Sequence, residues 1–365
     1  NKTVTATNMS ISGTDAANYS FNTTATATAS ILVRSLAVTI SASSKTYDGN
    51  ATASVVYSDN RISGDAFTVS GNATFSSKTY GLSKTVTATG ITLTGTDAAN
   101  YSPNTSTTNT ANITKRTLSV TITASNKTYD RTTTASVTYS DDRVSGDVLV
   151  ITSTPTFIDK NVGNGKTVTA TGIVLSNTDA GNYDYNTSAT ATANITKRPL
   201  TVTGTFTVAN RQYDATTDAT AQVTLPVSAG LSDVQAGDDA TLSGTPAFTF
   251  AQATIGTAIG ISTTGYSVIG VDADNYALTQ PSFTANITAR PLTIGGALVV
   301  AASKTYDQGI SASITDTAQL LLQNVPAGDA NNAAKVALTS LAASYVNKNV
   351  GTGKAVSLTA ASLSG

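Results

Sequence analysis

No cysteine, histidine or tryptophan occurs in the sequence, methionine occurs once, and all 22 acidic residues are aspartate. Without histidine and cysteine, the commonest general base, the thiolate nucleophile and the soft metal ligands are missing. Disulfides cannot brace the fold, so each domain must be held by its own packed core. Charge is scarce as well: 21 basic residues against 22 acidic ones leave a formal net charge of −1. No basic stripe marks a nucleic-acid partner. No apolar run approaches the roughly 20 residues of a membrane-spanning helix. Long helix formers are few, and the prevailing Thr, Ser, Ala, Val, Asn and Gly favour pleated strands and tight turns.

What is present recurs. Lys45-Thr46-Tyr47-Asp48-Gly49 returns as Lys127-Thr128-Tyr129-Asp130-Arg131, Arg211-Gln212-Tyr213-Asp214-Ala215 and Lys304-Thr305-Tyr306-Asp307-Gln308. The tyrosines lie 82, 84 and 93 residues apart. A second mark keeps step with the first, over 14–19, 96–101, 178–183 and, more loosely, 271–276. Two marks in register over the whole length define a tandem array of one unit. Complete repeats are expected over 35–116 and 117–198, with an enlarged one over 199–290. Residues 1–34 read as the C-terminal half of a truncated repeat and 291–365 as the N-terminal part of another, so the chain reads as a piece of a longer polypeptide.

Within 35–116, Leu36, Val38 and Ile40 alternate with small residues, Tyr47-Asp48-Gly49-Asn50 has turn composition, and 51–57 reads as a second strand. Residues 84–94 form a long alternating strand that needs a bend at Gly90 to keep Val86, Ile91 and Leu93 on one face. Six or seven short strands without helical periodicity predict an all-β fold: tandem immunoglobulin-like antiparallel β-sandwiches. The additional residues of the enlarged repeat are expected in surface loops around 228–237 and 250–259. Junctions such as Ile113-Thr114-Lys115-Arg116-Thr117-Leu118 leave no slack, and Pro199 and Pro291 stiffen the passage, so an extended, semi-rigid rod is expected.

Asp97-Ala98-Ala99-Asn100-Tyr101 has the form of a tyrosine corner, in which the phenol bonds back to nearby backbone; Tyr19, Tyr183 and Tyr276 fit the same reading. Ligand stacking on exposed tyrosine is the functional alternative. The Tyr-Asp pairs could in principle transfer protons, but no second acid or nucleophile recurs with them, and a turn Asp beside a packed Tyr is the simpler reading. No cofactor is expected. Calcium is conceivable at Asp141-Asp142, Asp238-Asp239 or Asp272/Asp274, although no EF-hand or nonapeptide pattern recurs. Gly163-Asn164-Gly165-Lys166-Thr167 lacks the first glycine of a phosphate loop, whose place Lys160 takes, and sits between strands. Thr-x-Thr runs recur once per repeat, too sparsely for an ice-binding face, and a Lys–Asn isopeptide bond would have to rely on Asp.

Lys-Thr-Tyr-Asp-Gly, Ser63-Gly64-Asp65, Gly163-Asn164-Gly165-Lys166, Asp97 to Tyr101 and Ala111-Asn112-Ile113-Thr114-Lys115-Arg116 together resemble the YDG-type repeats, related to MBG-type repeats, of filamentous-haemagglutinin-like bacterial surface adhesins. The resemblance covers essentially the whole chain. It implies a non-enzymatic stalk or fibre segment, secreted and displayed at the bacterial cell surface. It names neither a ligand nor a catalytic residue. Two alternatives stay open: a filament subunit exchanging strands with copies of itself, and a carbohydrate- or surface-binding module facing a host or abiotic surface. An immunoglobulin-like strand order would place Tyr47, Asp48, Asp97, Tyr101 and Arg116 at one pole, against the neighbouring repeat. The same arrangement would recur with Tyr129, Asp130, Asp179, Tyr183 and Arg198, with Tyr213, Asp214, Tyr276 and Arg290, and with Tyr306 and Asp307. Linker Lys and Arg would then face the Asp residues of the two turns.

Overall fold

The structure, a computed structural model, describes residues 1–330 and 335–365. Among them the only helices are single turns of 3-10 helix; the rest is strand and turn. The chain divides into two compact units, one of residues 1–125, 133–159 and 165–193, the other of 126–132, 160–164 and 194–365.

In the first unit, β1 (Lys2–Ala6) and β2 (Ala25–Ala29) pair antiparallel and are exposed along their length. The first complete repeat follows as β3 (Arg34–Leu36), β4 (Val38–Ala42), β5 (Lys45–Thr46), β6 (Val55–Asp59), β7 (Thr68–Phe75), β8 (Gly81–Thr94), β9 (Tyr101–Pro103) and β10 (Ser106–Thr114). One sheet has the order β5-β10-β8-β7, while β4 pairs with β6 and β3 with β9. Two of these pairings, β5 with β10 and β3 with β9, are parallel, so the first segment of the repeat is stitched to its last strands at both ends. Between the sheets lie Ile40, Phe75, Val86, Ala88 and Ile113, with Leu36, Val38, Phe67 and Ile91 forming a second cluster.

The bend at Gly90 explains how one strand serves both clusters. Ser70 faces Thr92 but Asn72 faces Thr89, so β8 carries one extra residue opposite Gly71. Gly90 takes a left-handed φ of +63° there. The inward parity switches from Val86 and Ala88 to Ile91, which no regular strand could bury together. Val150–Phe157 repeats this bulge against Gly163–Ser176, with Gly172 also at +63°. A Cβ at Gly90 would meet nothing within 4 Å, so its cost is the backbone alone. Gly90→Ala is expected to destabilise the first repeat by about 1–2 kcal/mol, read as faster amide exchange along β7 and β8; unchanged exchange would refute the bulge as the parity switch.

In the second unit the enlarged repeat keeps the four-stranded order, now Arg211–Gln212, Ser282–Thr288, Gly256–Thr264 and Ala247–Phe250. Its added residues are only partly where the sequence placed them. Phe250 pairs with Ile261 as Phe75 pairs with Val86 and Phe157 with Val168, so the 250–259 hairpin has no insertion. The other expected insertion, around 228–237, is partly ordered: Gly230–Leu231 pairs antiparallel with Arg198–Thr203 as an added edge strand. Backbone hydrogen bonding absorbs the extra chain instead of leaving it as loop.

Candidate functional site: the junction between repeats

Each Tyr-Asp turn is locally self-sufficient. Lys45 Nζ reaches Asp48 Oδ1 at 2.8 Å and the Asn50 carbonyl and side-chain oxygens at 2.9 Å, while Asn50 N donates back to Asp48 at 3.1 Å. Lys127 with Asp130, Arg211 with Asp214 and Lys304 with Asp307 repeat the ion pair. These aspartates close their own turns. The tyrosines beside them point elsewhere: Tyr47 donates to Asp147 Oδ1 at 2.9 Å, 100 residues on, in the following repeat. Tyr47 and Asp48 therefore diverge and form no proton-transfer pair.

Asp147 lies in a tight turn. Its amide donates to the Val144 carbonyl at 3.1 Å, and Gly146 takes a φ of +94°, the left-handed corner a type II turn demands. That loop is fastened within its own repeat from both sides. Arg143 grips Asp141 through Nε and Nη2 at 2.7 and 2.5 Å and reaches the Leu149 carbonyl at 3.2 Å. From the 3-10 turn, Asp179 accepts the Val148 amide at 3.0 Å, and the Tyr183 hydroxyl accepts the Val144 amide at 2.9 Å while donating to Asp147 Oδ2 at 2.6 Å. Asp147 is thus pre-positioned, with one oxygen bonded to its own tyrosine and the other to the tyrosine of the preceding repeat.

The two phenol rings meet edge to face, their centroids 5.6 Å apart at 78°. Such a pair adds about 0.5–1.5 kcal/mol beyond area burial, and hydrogen bonds to a buried charge about 1.5–3 kcal/mol each. Both tyrosines are 1% exposed. Burial first, then the bond to Asp147, pushes the Tyr183 phenol up to about 12 and raises Tyr47 further. A second latch lies alongside: buried Asn182 accepts the Tyr80 amide of the preceding repeat at 2.9 Å.

In the second unit the device recurs. Tyr129 and Tyr276 both donate to Asp238 Oδ2 at 2.7 Å, their rings 5.5 Å apart at 78°. Gln235 N donates to the Tyr276 hydroxyl, and Asn275 accepts the Val162 amide, both at 2.9 Å. Asp238 Oδ1 faces Arg131 Nε at 3.0 Å and Lys160 Nζ at 3.6 Å. Tyr213 donates to Asp329 at 2.7 Å in the same way. Linkers are as short as the sequence indicated: a single residue separates Thr114 from the strand beginning at Arg116, and Thr196 from that beginning at Arg198.

Several expectations need correction. Asp97 and Tyr101 do not share a pole with Tyr47 and Asp48. Tyr101 pairs with Arg34 at the start of its repeat, whereas the Tyr47 amide bonds Thr114 at its end. The 14 residues of β8 lie between the two, roughly 45 Å at 3.3 Å per residue. The two marks meet only across a junction, Tyr47 with Tyr183 and Tyr129 with Tyr276. Nor do the corner tyrosines bond nearby backbone: Tyr101 reaches the Ile62 amide and Asp65, 39 and 36 residues upstream. The linker arginines do not pair with the turn aspartates. Arg116 pairs along the backbone with Tyr183 and its Nε is buried without a hydrogen-bond partner, while Arg198 and Arg290 donate to the carbonyls of Asp233 and Asn324. Tyr19 and Tyr306 stand exposed.

The clamp role of Asp65, Asp147, Asp238 and Asp329 was not read from the sequence, where Asp65 stood only in a repeat motif and Asp238 only as a calcium candidate. Their signal was a third mark in step, Ser-Gly-Asp at 63–65 and 145–147 and Ala-Gly-Asp at 236–238 and 327–329. Most of the aspartates considered for calcium are engaged with protein donors. Asp142 accepts the Ser119 amide, Asp239 the Val271 amide, and Asp272 pairs with Lys160. Among the described residues, no group of three His, Cys, Asp or Glu side chains is placed to hold a metal ion. No helix among them is long and apolar enough to cross a membrane.

The YDG domain profile matches residues 33–110, 114–192, 196–283 and 288–365. The chain belongs to the YDG domain family. Each matched segment carries one copy of the Tyr-Asp turn, and the junction geometry gives those family-marking residues their physical role. No curated protein matches the chain. Among solved structures, the I9-I11 tandem from titin is similar at 13% identity and a TM-score of 0.20, over 69% of this chain and 98% of that one.

Proposed function

We propose that these YDG repeats form a non-enzymatic, semi-rigid stalk segment of a large secreted adhesin at the bacterial cell surface. The observation that carries the reading is the shared carboxylate. One buried aspartate binds a tyrosine from each of two successive repeats, across a linker of one residue. Sites built to bind ligands leave polar groups facing a pocket; here the recurrent polar groups face each other. Interfaces between domains that move freely are small and polar, whereas this one seals two aromatic rings around a charge.

The test is electron microscopy of cells displaying the full-length protein with residues 117–198 deleted in frame. The reading requires the projecting structure to shorten by about one domain length while surface display persists. Unchanged projection, or loss of a specific ligand interaction with no change in reach, would favour a binding module instead. Concentration-dependent growth of the purified chain into filaments would favour strand exchange.

A further inference from the structure

The residue after each Tyr-Asp differs in every repeat, although its backbone does not. Gly49, Arg131, Ala215 and Gln308 take φ values of +81°, +67°, +65° and +65°. The left-handed turn alone would favour glycine throughout, so the variation needs another cause. That cause lies across the junction. A Cβ at Gly49 would stand 2.8 Å from a methyl of Val144 in the following repeat. Arg131 instead lays its guanidinium over Gly237, where an added Cβ would be 2.6 Å from Nη1, and donates to the Ala236 carbonyl at 2.5 Å. Ala215 touches Gly328 of its own successor, its Cβ 3.0 Å from where a Cβ would sit there.

The carboxylate is read differently in the two complete clamps. Asp147 gives one oxygen to each tyrosine, and Oδ1, already bonded to Tyr47, faces only Lys78 Nζ, at 3.8 Å. Asp238 takes both tyrosines on Oδ2, which leaves Oδ1 to Arg131. The position three residues before the aspartate changes in parallel, from Val144 to Gln235. With its amide assigned so that the oxygen faces Arg198, the Gln235 side chain accepts from Arg198 Nε at 3.0 Å, whereas the buried Arg116 Nε has no hydrogen-bond partner.

We propose that the residue after Tyr-Asp and the Ser/Ala-Gly-Asp loop of the next repeat form a matched key, so that each YDG repeat accepts particular successors. The Val144 loop requires glycine at position 49. Arg131 requires a loop with an unobstructed glycine and a carboxylate oxygen turned toward it, and it is found with Gln235 at the position Val144 holds in the first junction. The order of repeats along the array is therefore encoded at the junctions, and a repeat of another copy is accepted only with the matching loop. Complementarity of this kind discriminates by clash and unpaired charge as much as by attraction.

The experiment is amide exchange on the full chain. In Gly49→Arg, the Tyr80 amide that bridges the first junction and the Val144 amide of the loop facing residue 49 should exchange roughly tenfold or more faster, with the Val162 and Gln235 amides of the second junction unchanged. Adding Val144→Gln should restore protection to within about threefold. Retained protection in the single variant, or failure of the second substitution to restore it, overturns the key. If Gly49→Arg instead unfolds its own repeat, seen as lost protection at Phe75, the reading passes to Arg131→Gly. That variant must speed exchange at Val162 and Gln235, and unchanged exchange there overturns the proposal equally.

Discussion

Asp238→Ala will uncouple the repeats on either side of it while leaving each folded. Its side chain is fully buried, accepts both Tyr129 and Tyr276, and faces the charges of Arg131 and Lys160. Truncation leaves two phenols and a half-exposed guanidinium turned toward a site without an acceptor. Each buried phenol left without its acceptor costs about 1–3 kcal/mol, and the Asp239 carboxylate, which accepts the Val271 amide, is not free to replace Asp238. The loss should appear as rapid exchange at the Gln235 and Val162 amides. Asp184→Ala is the control: that carboxylate is largely exposed and meets Lys115 at 3.4 Å, so its loss should cost under about 1 kcal/mol. If the two variants behave alike, the buried carboxylate is not what joins the repeats.

Alkali should open the same junctions. Tyr183 and Tyr276 are pushed up to about 12, first by burial; for Tyr276 the Gln235 amide works the other way and the bond to Asp238 adds to the rise. In the unfolded chain a tyrosine ionises near pH 10. Below that pH both states hold the proton, and the contribution to stability is fully present. Between about 10 and 12 the unfolded chain releases protons that the folded junction retains, so stability falls as pH rises and is lost as pH passes through the folded values. Tyr47 and Tyr129, raised in the same direction, add to the slope. Tyrosinate absorbance of the wild type should therefore rise in step with loss of junction amide protection. Tyr183→Phe removes one titrating group, so its stability should fall less steeply with pH, even though it starts lower for want of the bond to Asp147. An identical slope in Tyr183→Phe and wild type would show that the buried phenols are not the titrating groups.

Much of this architecture was legible beforehand. The period, the all-β class, the need for a bend at Gly90 and the shortness of the linkers all follow from alternation, turn chemistry and the spacing of two marks, which are local properties of the chain. The insertion in the enlarged repeat was only half legible: 228–237 was flagged, but that Gly230–Leu231 would add an edge strand depends on Arg198–Thr203 having an unpaired side. The junction was misread for a related reason. Tyr47 and Tyr101 belong to one repeat and look like one site, yet the first sits where β10 ends and the second where β3 begins.

By itself, the sequence determined that this protein is a tandem of small cysteine-free β-domains, joined without slack, with a tyrosine at each of two fixed points per repeat. In a tandem array every repeat carries the same marks, so the residues alone do not say whether a mark meets its own repeat or the next. Only the tertiary structure decided that Tyr47 serves Asp147 and Tyr183, and that Ser-Gly-Asp, a common turn by composition, supplies the shared charge. The physical reason is the length of β8, which holds the two tyrosines of one repeat at opposite ends. Each can be buried and hydrogen-bonded together with a second phenol only against a neighbour.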